Sequence, residues 1–150
     1  MGANSFLPLT IGCSIFDPWV ATAAQNWNAA ARQVAIAQRR SLLATARAFA
    51  LLNLAGADAF IAAWDAKYAY RQWRPVTAIA AAGDDGNPRT EAAPGWTPFL
   101  ATPPFPDYVA GHTSYAGAAE AVLSHVFGAD PRVTMTLTSP TAPGVVKSYG

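Results

Sequence analysis

Two short stretches of this chain carry residues able to do chemistry together. The first runs from Trp64 to Pro75 and holds three cations, Lys67, Arg71 and Arg74, within eight residues. Lys67 and Arg74 stand two helical turns apart, so a helix reaching Trp73 would place them on one face. That face continues an apolar line back through Phe60, Gly56, Asn53, Phe49 and Leu42. A cation at the end of such a line needs a compensating partner, and the nearest acid, Asp65, points to another side. Two readings fit: a lysine reaching for water at a helix end beside a structural arginine, or an ammonium and a guanidinium converging on phosphate or an anion of that shape. The second stretch is Phe105 to Thr113. Gly111 permits close backbone approach, and the free N–H groups of the helix start beyond it offer an anion site. His112 there would exchange a proton with a bound oxyanion; a surface histidine at a helix cap is the plainer alternative.

These residues need helices to position them, and the periodicity supplies candidates. Asp17-Pro18 suits a helix cap and first turn. Ala23 to Arg39 reads as a helix with Trp27, Ala31, Val34 and Gln38 on a line. Arg39-Arg40-Ser41 marks a break, with Ser41 as the next cap. A long helix follows from Leu42 to Trp73, ended because Pro75 biases Arg74 away from helical backbone, and Val76 to Ala82 reads as a further short turn. Residues 83–107 carry six prolines and the turn signal Asp84-Asp85-Gly86-Asn87. A connection this long is uncommon unless functional or disordered, and Trp96, Phe99, Phe105 and Tyr108 predict that it packs down. Gly111 to Phe127 is the clearest amphipathic helix, with Tyr115, Ala118, Ala119, Val122, Leu123 and Val126 at helical spacing and Gly128 as its stop. Arg132 to Thr138 alternates weakly, as an extended segment would. The tail from Ser139 to Gly150 reads as turn-rich.

Composition narrows the function classes. With 52% apolar and 13% charged residues, the 150-residue chain belongs with folded domains rather than disordered ones. A net charge of +1 and no visible basic stripe leave no footprint for nucleic acid. The single Cys13 excludes an internal disulfide and reads as a small buried apolar residue. No Lys or Arg precedes the short apolar run at the N-terminus, so no secretory signal is expected. Leu42 to Trp64 is the most apolar segment, but Arg47, Asn53 and Asp58 interrupt it, and it reads as the buried core helix of a soluble protein. His112 and His125 lie on nearly opposite faces of one helix, and no zinc-ligand spacing is present. The Asp-Asp-Gly-Asn run lacks the ligand alternation of a calcium loop. There is no Gly-rich phosphate loop, and Ser114 beside His112 has no third orienting group.

Together the two stretches resemble the vanadium-dependent haloperoxidase and type 2 phosphatidic acid phosphatase superfamily. Its first signature, Lys, six residues, Arg-Pro, is matched in full from Lys67 to Arg74-Pro75. Its second, Pro-Ser-Gly-His, is half matched by Val109-Ala110-Gly111-His112. The flanks, Ala63 to Tyr68, Trp73 to Ile79 and Thr102 to Tyr108, look like the bacterial haloperoxidase-related branch, and the likeness runs from about Phe16 to the end.

The resemblance implies an all-α helical bundle, a single partial domain over 1–150, with a long proline-rich loop and the oxyanion held between helices. It implies that Lys67 and Arg74 neutralise vanadate or phosphate oxygens, that the Gly111 backbone N–H donates to another, and that His112 is the acid–base group. In haloperoxidases bound vanadate takes up peroxide and halide is oxidised; in the phosphatases the same pocket hydrolyses phosphate esters through a phosphohistidine, with no cofactor. Two departures matter. Ala110 replaces the family's serine, whose hydroxyl would donate to the oxyanion at a worth of about 1.5–3 kcal/mol. No histidine follows His125, whereas the family's third signature carries a further Arg and the vanadium-binding or nucleophilic His. The tail from Thr136 to Gly144 resembles the lead-in to that signature. The expectation is therefore a chain incomplete at its C-terminus, without a direct metal ligand of its own, with an exposed apolar groove that favours self-association, or alternatively a degenerate domain without catalysis.

Overall fold

The computed structural model describes residues 23–99, 101–139 and 142–149. The Asp17-Pro18 cap, Cys13 and the start of the family likeness at Phe16 lie outside the described residues. Four helices and a β-hairpin make up the regular structure: α1 (Ala23–Ala37), α2 (Leu42–Tyr70), α3 (Pro75–Ala80), α4 (Gly111–Phe127), β1 (Met135–Ser139) and β2 (Ala142–Tyr149). The mostly helical bundle is as expected. Contacts divide the chain into two compact units, one drawn from the chain up to Ala62 and from Gly111 onward, the other Ala63–Ala110.

In the first unit α1 buries Ala23, Trp27, Ala30, Ala31, Val34 and Ala35 on one stripe. Its alanines let neighbouring backbones approach closely, and Trp27 supplies the bulk. The stripe packs with Ala48 and Leu52 of α2, Tyr115, Ala116, Ala119, Leu123 and Phe127 of α4, and Met135 of β1. Val34, Leu52 and Leu123 are fully buried, each burial being worth about 1.5–3 kcal/mol. Asn28 and Asn53 bridge α1 and α2 with reciprocal amide hydrogen bonds of 3.0 Å. Beside them Gly56 meets Tyr115: a methyl added there would run into the Tyr115 ring at Cε2 and Cζ. The close approach of α2 to α4 requires glycine at 56.

The break between α1 and α2 forms where expected. The Arg40 N–H donates to the Ala35 carbonyl at 2.9 Å and the Arg39 N–H to the Ile36 carbonyl at 3.0 Å. With Arg39 at φ 51°, this is a Schellman motif with arginine at the position glycine usually takes. Ser41 then caps α2, its hydroxyl accepting from the Ala44 N–H at 3.2 Å.

Two expectations for α2 need correction. The helix ends at Tyr70, not Trp73, because Arg71 turns left-handed at φ 49° and its N–H closes the last turn on the Lys67 carbonyl. Arg74 is extended, at φ −70° and ψ 152°, ahead of Pro75 at the first position of α3. Nor is α2 a buried core helix. Its inward stripe is Ala48, Leu52, Gly56, Ala63 and Lys67, rather than one passing through Asn53 and Leu42. Leu42 and Leu43 are 87% and 81% exposed. By length and composition the segment Leu42–Ala80 is apolar enough to cross a membrane, and only 22% of its apolar window is buried.

In the second unit the proline-rich connection is held by its own turns. Asp85 accepts from the Asn87 N–H at 2.7 Å and from the Thr90 hydroxyl, with Gly86 at φ 76°. Those bonds occupy the carboxylate, which supports the turn reading over a calcium loop. The aromatic residues do less than expected: Phe99 is 87% exposed and Tyr108 55%, while Phe105 packs on Trp64 with ring centroids 4.7 Å apart.

In the first unit again, α4 has the bounds expected, and Gly128 ends it at φ 95°. The tail differs from expectation. Residues 142–149 form β2, antiparallel to β1, in register from Met135↔Tyr149 to Thr138↔Val146, with an irregularity at Thr138/Ser139. The Gly and Pro content masked a strand built around Val145 and Val146. The Gln33 side chain of α1 occupies the other edge of β1, donating to the Thr136 carbonyl at 2.7 Å and accepting from the Thr136 N–H at 2.8 Å.

Candidate functional site

The cationic half of the site lies within the second unit. Lys67 occupies the last turn of α2 and is 3% exposed. Its ammonium donates to the carbonyls of Pro106 at 3.0 Å and Asp107 at 2.6 Å. Arg74 reaches the same loop: Nε donates to the Phe105 carbonyl at 2.8 Å, Nη2 to the Pro106 carbonyl at 3.3 Å and Nη1 to Asp107 Oδ1 at 3.1 Å. Lys67 and Arg74 therefore converge, but not by sharing a helix face. The chain turns at Arg71 and brings Arg74 back through extended backbone. The loop is tied in by the Asp107 N–H, which donates to the Gln72 carbonyl at 3.1 Å.

One aromatic ring lies against both cations. The Phe105 centroid is 5.1 Å from Lys67 Nζ and 4.8 Å from Arg74 Cζ, within cation–π range. Burial, then the Arg74 charge, lowers the Lys67 pKa from 10.5, and Asp107 opposes that fall. Two of the three ammonium N–H groups and three of the five guanidinium N–H groups are engaged with the loop. The remaining donors are cationic and adjacent, a set suited to an oxyanion.

Gly111 and His112 open α4 in the first unit. His112 is exposed, and Gly111 is partly buried, with a Cβ there falling 3.5 Å from Phe60. His125 is exposed, as expected. Among the described residues no group of three or more His, Cys, Asp or Glu gathers as a metal site. Asp107 and Phe105 are the residues whose roles sequence reasoning missed. A signal was present for Asp107, the one acid between Glu91 and Glu120.

Residues 47–148 match the family described as the VCPO second helical-bundle domain. Among curated proteins the chain is similar to the vanadium chloroperoxidase of Curvularia inaequalis, at 36% identity over 83 aligned residues, covering 49% of this chain and 13% of that protein. The chain thus spans about an eighth of that relative's length. No solved structure gives a significant match.

Proposed function

This chain belongs to the family of the VCPO second helical-bundle domain, and from that membership we propose that it is a vanadium-dependent haloperoxidase-like domain whose Lys67, Arg74, Gly111 and His112 serve an oxyanion. The observation that carries the reading is the buried Lys67 ammonium beside the Arg74 guanidinium. Two adjacent cations repel, and burying one is costly. The loop carbonyls and one half-exposed carboxylate offset that only in part. An oxyanion on the remaining donors would supply the missing counter-charge.

Lys67 and Arg74 neutralise the anion and orient it. The Gly111 N–H at the start of α4 donates to a further oxygen. His112 gives or takes the proton at the reacting oxygen. Vanadate, when bound, supplies the centre that activates peroxide for halide oxidation. Ala110 contributes no hydroxyl, so affinity is lower than a serine would give by roughly tenfold to a hundredfold.

The test measures vanadate and phosphate binding by calorimetry, together with vanadate-dependent bromide oxidation and aryl phosphate hydrolysis. Vanadate affinity should fall in Lys67→Met and Arg74→Ala and rise in Ala110→Ser. Hydrolysis without bromide oxidation would move the reading to the phosphatase branch. Binding without either reaction would support a non-catalytic domain, a reading favoured by Ala110 and by cations already engaged with residues 105–107. Absence of vanadate and phosphate binding, Ala110→Ser included, would overturn the site.

A further inference from the structure

A second anionic site lies wholly in the first unit and does not depend on the reading above. From Pro18 to Ala57 the chain has no Asp or Glu but four arginines, Arg32, Arg39, Arg40 and Arg47. The net charge of the whole chain hides this local excess. Arg32, Arg39 and Arg40 line one open groove of about 410 Å³ with Ala35, Ile36 and Thr45. Among the described residues the ion pairs are those of Arg74 and Arg132, so the groove arginines lack acidic partners there. Three like charges around one hollow repel, and the fold gains nothing from gathering them.

Two details show how the groove is held. Arg40 is fixed on both sides: Nε donates to Gln38 Oε1 at 3.0 Å, Nη2 to the Val126 carbonyl at 3.1 Å, and the guanidinium lies 5.6 Å from the Phe127 ring centroid. Arg39 stands at the left-handed position of the Schellman turn, φ 51°, where glycine carries no penalty. A strained arginine whose side chain lines the hollow, next to an immobilised one, is an arrangement that stability alone does not favour.

We propose that this groove binds a small phosphate monoester. Arg32, Arg39 and Arg40 take the phosphoryl oxygens, since the planar guanidinium matches them bidentately. The Thr45 hydroxyl adds a donor. Ala35 and the exposed Ile36 wall receive the organic body, and the volume falls within the range of small-molecule sites.

The experiment is an amide-resolved NMR titration of the full chain with phenyl phosphate, inorganic phosphate and phenol. Phenyl phosphate should give saturable shifts at Ile36, Arg39, Arg40 and Thr45, phosphate weaker ones, and phenol none. Arg39→Gly should weaken binding roughly tenfold or more without lowering the melting temperature, because it removes a charge while relieving the backbone. Arg39→Lys should restore part of the binding. Amides of Phe105 and Asp107, read in the same spectra, report the Lys67–Arg74 site separately. Shifts confined to those residues, unaltered affinity in Arg39→Gly, or binding abolished by about 0.15 M salt would overturn the proposal.

Discussion

Lys67 and Arg74 donate to one and the same oxygen, the Pro106 carbonyl, at 3.0 and 3.3 Å. A shared acceptor makes the two cations a unit. Lys67→Met should remove two hydrogen bonds from a buried charge and leave two carbonyls short of a donor. Urea unfolding should show a loss of about 1–3 kcal/mol, with vanadate or phosphate affinity down roughly tenfold to a hundredfold.

Asp107 has the opposite effect on the anion. Its ion pair with Arg74 joins side chains that are 20% and 46% exposed, so solvent screens it and its worth is at most about 1 kcal/mol. Asp107→Asn should barely move the melting temperature. It should strengthen oxyanion binding several-fold, measured by calorimetry, because a competing negative charge is gone.

The Gly56–Tyr115 contact predicts a pair of opposite effects. Gly56→Ala forces a methyl into the Tyr115 ring and should cost about 1–3 kcal/mol. The Tyr115 hydroxyl is buried without a hydrogen-bond partner. Tyr115→Phe should therefore leave stability unchanged or raise it by about 1 kcal/mol, read from denaturant midpoints.

Stability should also bend with pH in the alkaline range. Burial, reinforced by Arg74 and opposed by Asp107, holds the Lys67 ammonium below 10.5. Between its folded value and 10.5 the unfolded chain binds more protons, so stability rises with pH across that window. Burial raises the Tyr115 hydroxyl above 10.0. The folded chain then keeps a proton that the unfolded chain has lost, and stability falls as pH climbs past 10.0. Urea midpoints from roughly pH 8 to 11 should lose the rise in Lys67→Met and the fall in Tyr115→Phe.

Local signals were legible where one physical cause dominated. The apolar spacing of α4 and the helix-ending Gly128 gave its bounds, and Ser41 announced the start of α2. The pairing of Lys67 with Arg74 was legible from their types and spacing, but its route was not. A left-handed Arg71 leaves no mark in periodicity, since glycine or asparagine is the usual occupant. The α2 face was misread because Leu42 and Leu43 are as apolar as core residues while facing outward. The β2 strand was hidden by Pro143 and Gly144, which read as turn residues next to a short valine pair. Asp107 escaped notice because its meaning depends on a carbonyl-lined loop folding back thirty residues later.

The Gln33 amide against Thr136 does more than fasten a side chain. It behaves as a one-residue third strand, since it takes both the N–H and the C=O that a neighbouring chain would seek. A lone two-stranded ribbon is marginal in water, and a slip of one residue would turn its side chains over. Here the ribbon's alignment is keyed to a helix more than a hundred residues upstream. The hairpin can settle into its proper phase only after that distant helix has formed, which makes protection of the Thr136 amide a reporter of α1 folding.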